Sequence, residues 1–429
     1  MKKNGGSQWV LLLAVTCLFS SGFLAGAEPA AGLRLAAFRA DVTPPIGQPN
    51  AGNTASKEVL DPLWAKGIVL DDGRGRFVIC AMDWCVLGGD ADRLVRTGIA
   101  QAAGTDISRV ALHTVHQHAA PVVFSLEPGP NPDPKRLQFS RAALEEISAR
   151  LAEAVKASLD KLEPFDRIGT GQAKVDRVAS ARRLVSADGK PLTRWSESGK
   201  DPAMAAAPEG TIDPWLKTIT FARGDKPLVR LHYYATHPQS FCCDGRTSAD
   251  FVGWARETLE EREKVFQVYF TGCAGNVTVG KYNDSSAAAR EGLGNRLLAG
   301  MTAAAAASRF APASALVWRT VELTLPPRTD RPARPGARRL GPFTPSALEV
   351  NEVSILMLPG EPMLEYQFYA QEFRPKKFVA VAECNDAASY ICTDKMLGEG
   401  GYEPGATRFG PGSEAKLKAA IRELLGEKP

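Results

Sequence analysis

The chain has 429 residues, 44% of them hydrophobic and 23% charged, a composition that excludes a disordered, collagen-like or multi-span membrane protein. Its formal charge of +4 falls to +2 without Lys2 and Lys3, too weak for a general nucleic-acid footprint, so no DNA or RNA partner is expected. The length admits two or three domains, or one extended α/β domain.

Lys2 and Lys3, an apolar run from Trp9 to Phe19, and Ala25, Gly26 and Ala27 follow the charged, apolar and small-residue order of a secretory signal. Residues 1–27 are therefore expected to be a leader cleaved after Ala27, delivering a secreted or periplasmic protein. The apolar run is shorter than the roughly 20 residues of a spanning helix and no later run reaches that length, so the mature chain is expected to lack a transmembrane segment. Seven cysteines follow the leader: Cys80, Cys85, Cys242, Cys243, Cys273, Cys384 and Cys392. An odd, irregularly spaced set does not form a disulfide framework, and without a CxxC pair the spacing does not point to a thiolate zinc site.

Along the mature chain, Gly67 to Leu70 and Arg76 to Met82 read as a hairpin across Asp71, Asp72 and Gly73, followed by a strand over Arg109 to Val115. Helical periodicity covers Ala143 to Leu162. Leu216 to Phe221 and Leu228 to Tyr234 form a second hairpin, and Val265 to Phe270 a further strand. A helix over Ala287 to Ala307 precedes strands at Ala315 to Leu325, Val353 to Leu358 and Phe378 to Ala382, and Ser413 to Leu425 reads as a last helix. The stretch from Leu325 to Pro345 carries six prolines and five arginines and reads as a long surface loop. No segment reads as a linker. The expected fold is thus α/β, one domain over residues 28–429 with a layered mixed sheet flanked by helices.

All five histidines fall in two strings, His113, His116 and His118 in HTVHQHAAP, and His232 and His237 in LHYYATHPQS. In an extended backbone His116 and His118 share a face and His113 takes the other. Each string follows a predicted strand, as do YFTGCAGN (Tyr269 to Asn276), LPGEP (Leu358 to Pro362) and AECN (Ala382 to Asn385), and α/β sheets bind ligands at that edge. A catalytic zinc often takes two histidines and a carboxylate and keeps a position open for water, a recipe that His116, His237 and Glu361 fit. The alternative is that these are core histidines satisfied by hydrogen bonds.

Ala40 to Pro44 (ADVTP), VHQHAAP, ATHPQSF, SADFVGWA, GCAGNV and LPGEP occur in the order seen in neutral ceramidases. From about residue 36 to about residue 410 the chain resembles the zinc-bearing N-terminal catalytic domain of that family. The resemblance implies a zinc ion held by His116, His237 and Glu361 with Tyr390 completing the site. It implies catalytic roles for His118 in handling protons, and for Arg182 (or Arg183, one residue on) and Tyr402 in polarising the substrate carbonyl. The family's serine aligns with Gly272, so a serine nucleophile is absent, and the adjacent Cys273 reads as a buried structural cysteine rather than a thiolate. The family's C-terminal immunoglobulin-like domain has no counterpart within this length, which leaves ceramide itself in question as the substrate.

Asp250 reads either as a carboxylate that orients a ligating imidazole or as a helix cap, and Gly272, Gly275 and Asn276 as parts of a tight turn after a strand, with an oxyanion or phosphate role as the lesser reading. The expected activity is hydrolysis of an amide or ester bond in a small or lipid-like acyl substrate by zinc-activated water. The competing reading is a secreted metal-containing binding protein of the same fold that has lost catalysis.

Overall fold

The alternation of apolar side chains decides the architecture, because several strands are apolar on both faces and so need a covering layer on each. In the computed structural model, which describes residues 1–2, 32–127, 133–186, 188–330 and 340–427, that covering gives four layers. The leader read at residues 1–27, apart from its first two residues, and the centre of the Pro/Arg-rich stretch lie outside the described residues. Residues 32–429 cluster as one compact unit.

Among the described residues the larger sheet has nine strands. Its first part is β1 (Arg34–Asp41), β2 (Trp64–Asp71), β3 (Arg76–Met82) and β4 (Val110–Thr114). Helices α1 (Gly89–Ala103) and α2 (Arg141–Ser158) and the short β5 (Glu163–Pro164) follow. The smaller sheet is built from β6 (Arg167–Lys174), β7 (Trp215–Arg223), β8 (Lys226–Tyr234), β9 (Phe266–Thr271) and β10 (Arg309–Pro312). Helix α3 (Asp250–Glu263) falls between β8 and β9, and α4 (Ala287–Ala306) between β9 and β10. The chain then returns to the larger sheet with β11 (Val317–Thr320), β12 (Ser346–Val350), β13 (Val353–Pro362) and β14 (Phe378–Ile391). Helix α5 (Leu364–Phe373) joins the last two strands and α6 (Ser413–Leu424) closes the fold. Strand order is β5-β1-β2-β3-β4-β14-β13-β12-β11 in one sheet and β9-β8-β7-β6-β10 in the other.

Both sheets are mixed: β3 and β4, β13 and β14, and β8 and β9 pair parallel, and the other neighbours pair antiparallel. Ile79, Ala81, Ala111, Ile355 and Met357 pack in one core with Phe221, Leu231 and Phe270 between the sheets. The alternate residues of the same strands, Val78, Cys80 and Leu112, pack with Val95 and Ile99 of α1 and Leu144 and Ile147 of α2. Leu356 and Val379 pack likewise with Leu417 and Ile421 of α6. The period-2 pleat thus feeds two cores from one strand.

Two sequence expectations need correction. Only Val317–Thr320 of the stretch from Ala315 to Leu325 forms a strand, and beyond it Leu323 keeps an isolated bridge to Phe343. The Pro/Arg-rich stretch is also not surface loop throughout: Leu325 and Phe343 are buried, and Leu323 bridges Phe343, so its ends belong to the core around α6. Among the described residues no helix is long and apolar enough to cross a membrane.

Candidate metal centre

The first histidine string leaves β4 and stops being a strand. Thr114 ends it, the amide of His116 donates to the Trp84 carbonyl (2.8 Å), and His116 takes a left-handed φ of 72°. This corrects the extended-strand reading: His116 and His118 do meet, with ring centroids 5.1 Å apart, but through a left-handed turn. The turn is anchored at Gln117, whose side-chain amide donates to Asp83 (3.1 Å). Asp83 is in turn held by both terminal nitrogens of the buried Arg256, at 2.7 and 2.8 Å.

Each of two imidazoles spends its Nδ1 hydrogen on the backbone, His116 to the Cys85 carbonyl at 2.8 Å and His237 to the Val277 carbonyl at 2.9 Å. That fixes the tautomer and leaves the Nε2 lone pair of each free. Both Nε2 atoms face one oxygen, Glu361 Oε2, at 3.4 Å from His116 and 3.3 Å from His237. The three ligand atoms lie within 4.8 Å of one another. Glu361 reaches this point through a break in the β13–β14 ladder, whose register shifts on either side of Pro359 and pairs Glu361 with Tyr390. Gly360 makes the break possible: its φ is 65°, and a Cβ there would meet the Ser389 carbonyl oxygen at 2.6 Å.

Burial, assisted by Arg182, pushes the His237 pKa down to about 3, so this imidazole is neutral at neutral pH. An anionic oxygen and aimed imidazole lone pairs make a cradle for a cation.

His118 lies beside this cluster, its ring centroid 5.7 Å from that of His237, and its Nε2 accepts a hydrogen bond from the Gln239 amide (2.8 Å). Arg182 is buried and donates to the Gly275 carbonyl (3.2 Å) and to the Tyr390 hydroxyl (2.8 Å). Its guanidinium lies 5.5 Å from the Tyr390 ring centroid and 5.6 Å from that of Tyr402. Arg183 points elsewhere, to Glu399, Glu403 and the Gly400 carbonyl. Burial works against the Arg182 charge, but Tyr390, Glu403, Glu361 and Tyr402 together favour it. Tyr390 adjoins Glu361 across the ladder. Tyr402 is 38% exposed and meets the exposed Trp195 edge-on at 4.8 Å, which puts an aromatic pair at the rim.

The remaining candidates are scaffolding. Asp250 does not touch an imidazole: its carboxylate accepts from Ser240, Phe241 and Phe251. Nor is it the helix cap: the cap is Ala249, with no side-chain cap bond, and Asp250 is the first residue of α3 and pins the loop that follows His237. Asn276 accepts the Leu364 amide at the start of α5 (2.8 Å), and its carbonyl accepts the Arg182 amide (2.8 Å). Gly272 is a close approach: a Cβ there would meet Gln367 Oε1 at 2.5 Å. Cys273 is buried, and burial pushes its thiol well up. His113 ties the two sheets together, with Nδ1 against the Glu383 carbonyl and Nε2 accepting the Thr271 amide (3.1 Å). His232 sits between Thr218 (2.8 Å) and Gln267 (2.7 Å). For these two the bland reading of a satisfied core histidine is the right one.

Sequence reasoning missed Gln239, which follows His237 by two residues in ATHPQSF, and Trp195, which carries no local signal. It also missed Glu383 in the AECN string, a buried carboxyl whose Oε2 accepts the Ala274 amide (2.7 Å) and whose pKa burial pushes well up.

Fold and site together define an α/β sandwich with a His/His/Glu cluster at the strand ends. No protein-family model and no curated protein matches the sequence. Among solved structures, neutral ceramidase from Pseudomonas aeruginosa is similar with a TM-score of 0.70 at 15% identity, over 92% of this chain and 74% of that one. A ceramidase complexed with C2 gives 0.71 at 14% identity over the same shares. The chain therefore has the ceramidase fold.

Proposed function

We propose that this chain is a zinc-dependent hydrolase of an amide or ester bond in an N-acyl or O-acyl substrate, acting outside the cytoplasm. One observation carries the reading: the free Nε2 atoms of His116 and His237 and the Glu361 carboxylate converge on one point, with both Nδ1 atoms already committed. The donor set fits zinc, for which two histidines and a carboxylate are a recurrent triad, with the Tyr390 oxygen alongside. When bound, zinc supplies Lewis acidity and lowers the pKa of water from ~15.7 to about 7.

The protein's own groups account for the rest. His118, held by Gln239, takes a proton from the attacking water and returns it to the leaving nitrogen or oxygen. Arg182 and Tyr402 donate hydrogen bonds to the oxyanion that develops on the carbonyl. The rim formed by Trp195 and Tyr402 gives an acyl chain an apolar surface. With Gly272 where the ceramidase family carries a serine, and Cys273 sealed, attack is by water directly. The neighbours' names point to a ceramide-like N-acyl lipid, and the aromatic rim is compatible with one.

A panel of N-acyl amides and esters of graded chain length tests this reading. The zinc-loaded protein is expected to turn over at least one of them, and Arg182→Met to lower kcat by about 10²-fold or more, the usual cost of one oxyanion donor, beside a stability loss of about 1–3 kcal/mol from the unpaired Gly275 carbonyl. Absence of turnover across the panel by folded, metal-loaded protein contradicts it and favours the binding-protein reading.

A further inference from the structure

Cys242 and Cys243 lie beside His118, and the hydrolase reading gives them no role. In extended backbone, adjacent side chains point to opposite faces. Cys243 instead has a left-handed φ of 62°, and Cys242 Sγ, Cys243 Sγ and a His118 ring nitrogen lie within 4.8 Å of one another. Cys242 Sγ is 3.8 Å from His118 Nδ1. Two ligands on one tetrahedral zinc, with S and N bonds of about 2.3 and 2.05 Å, stand about 3.6 Å apart, so the pair is spaced for one ion.

The loop carrying these thiols is anchored. Cys243 packs against Gly52, where a Cβ would meet Cys243 Sγ at 2.6 Å, so the neighbouring segment is shaped to admit this side chain. Thr54 Oγ1 donates to the Cys243 carbonyl (3.1 Å), and the Lys57 amide donates to the Gly245 carbonyl (2.7 Å). The Arg246 guanidinium lies 3.6 Å from the Phe241 ring centroid, closing the loop from its other side. Both thiols are exposed, which gives an ion a route in.

We propose that Cys242, Cys243 and His118 Nδ1 form a second, thiolate-rich site for a soft divalent cation such as zinc or cadmium, with a fourth position open to water. Binding makes two metal–sulfur bonds and one metal–nitrogen bond and releases the two thiol protons to solvent, leaving a neutral cluster. The absent CxxC spacing hid the site, because its ligands come from two loops. An ion on Nδ1 moves the His118 ring hydrogen to Nε2, where the Gln239 side chain turns to present its carbonyl oxygen in place of its amide nitrogen.

Cadmium titration of reduced, tag-free protein tests the site independently of turnover, through the ultraviolet thiolate-to-cadmium charge-transfer band. The expected result is a saturating band at about one equivalent, retained in His116→Ala and abolished in Cys242→Ser and in Cys243→Ser. His118→Ala is expected to weaken binding by 10-fold or more. Cys85 is the rival thiol, within 4.8 Å of ring nitrogens of His116 and His118 but buried with Ala51, Val86 and Cys384. A band lost in Cys85→Ser and kept in the Cys242 and Cys243 variants overturns the proposal, as does no band from protein whose thiols titrate as free. Loss of the hydrolase site alone leaves the band in place, so the two readings fail separately.

Discussion

Single residues in rare backbone conformations place the chemistry. His116 and Cys243 adopt left-handed φ without being glycine, a strain of about 1–2 kcal/mol each that surrounding contacts must hold. At His116 the holding contacts are the Trp84 and Cys85 carbonyls. Gly272 illustrates the opposite constraint, a position with no room for a side chain. Placing a serine there is expected to add no activity. Gly272→Ser should destabilise by about 1–3 kcal/mol through overpacking, because Gln367 Oε1, which the new Cβ would meet at 2.5 Å, is engaged with the Cys273 amide. Thermal melts and turnover of the variant check both parts, and a gain in turnover would show that a seryl nucleophile fits after all.

At the scale of elements, helix α3 is bound to the larger sheet by charge as well as by packing. Lys66 on β2 is fully buried, and its ammonium reaches Glu257 (2.9 Å) and Glu260 (2.6 Å) of α3. Burial works against the Glu257 charge, but Arg256, Lys66 and Arg39 outweigh it and bring its pKa from 4.5 down to about 2. A depressed carboxylate stabilises the fold above its unfolded pKa, and that stability is lost as pH falls through the folded value. Glu257→Gln is therefore expected to cost about 1–2 kcal/mol at pH 7 and progressively less between pH 4.5 and 2. Denaturant unfolding across that range measures it, and a cost independent of pH would assign the effect to packing. The same helix carries Arg256, whose pairing with Asp83 steadies Gln117 between the two site histidines. Helical periodicity did not show α3, because charged residues dominate its second half, and only the cap reading of Asp250 hinted at it.

The whole molecule was legible where periodicity and turns were clean. The hairpin at Asp71 to Gly73 formed because Asp71 and Asp72 side chains accept the turn amides at 2.8 and 2.9 Å, and Gly73 supplies a φ of 79°. Helices at residues 141–158, 287–306 and 413–424 fall where apolar spacing put them. Strand β1 escaped because its alanines carry little β signal, and the division into two stacked sheets escaped because pairing partners across a fold are set by tertiary contacts. Histidine identity alone also misleads. His113 and His232 are satisfied core groups, whereas His116, His118 and His237 cluster, and only the elements that follow each strand distinguish them.

Elemental metal analysis tests the central claim most directly. It uses tag-free protein purified without chelators, in a Cys242→Ser/Cys243→Ser background that removes the thiolate site. The account predicts about one zinc per chain, absent from added His116→Ala or His237→Ala variants that keep their circular dichroism. Folded protein that holds no metal and takes up none when zinc is added would contradict it.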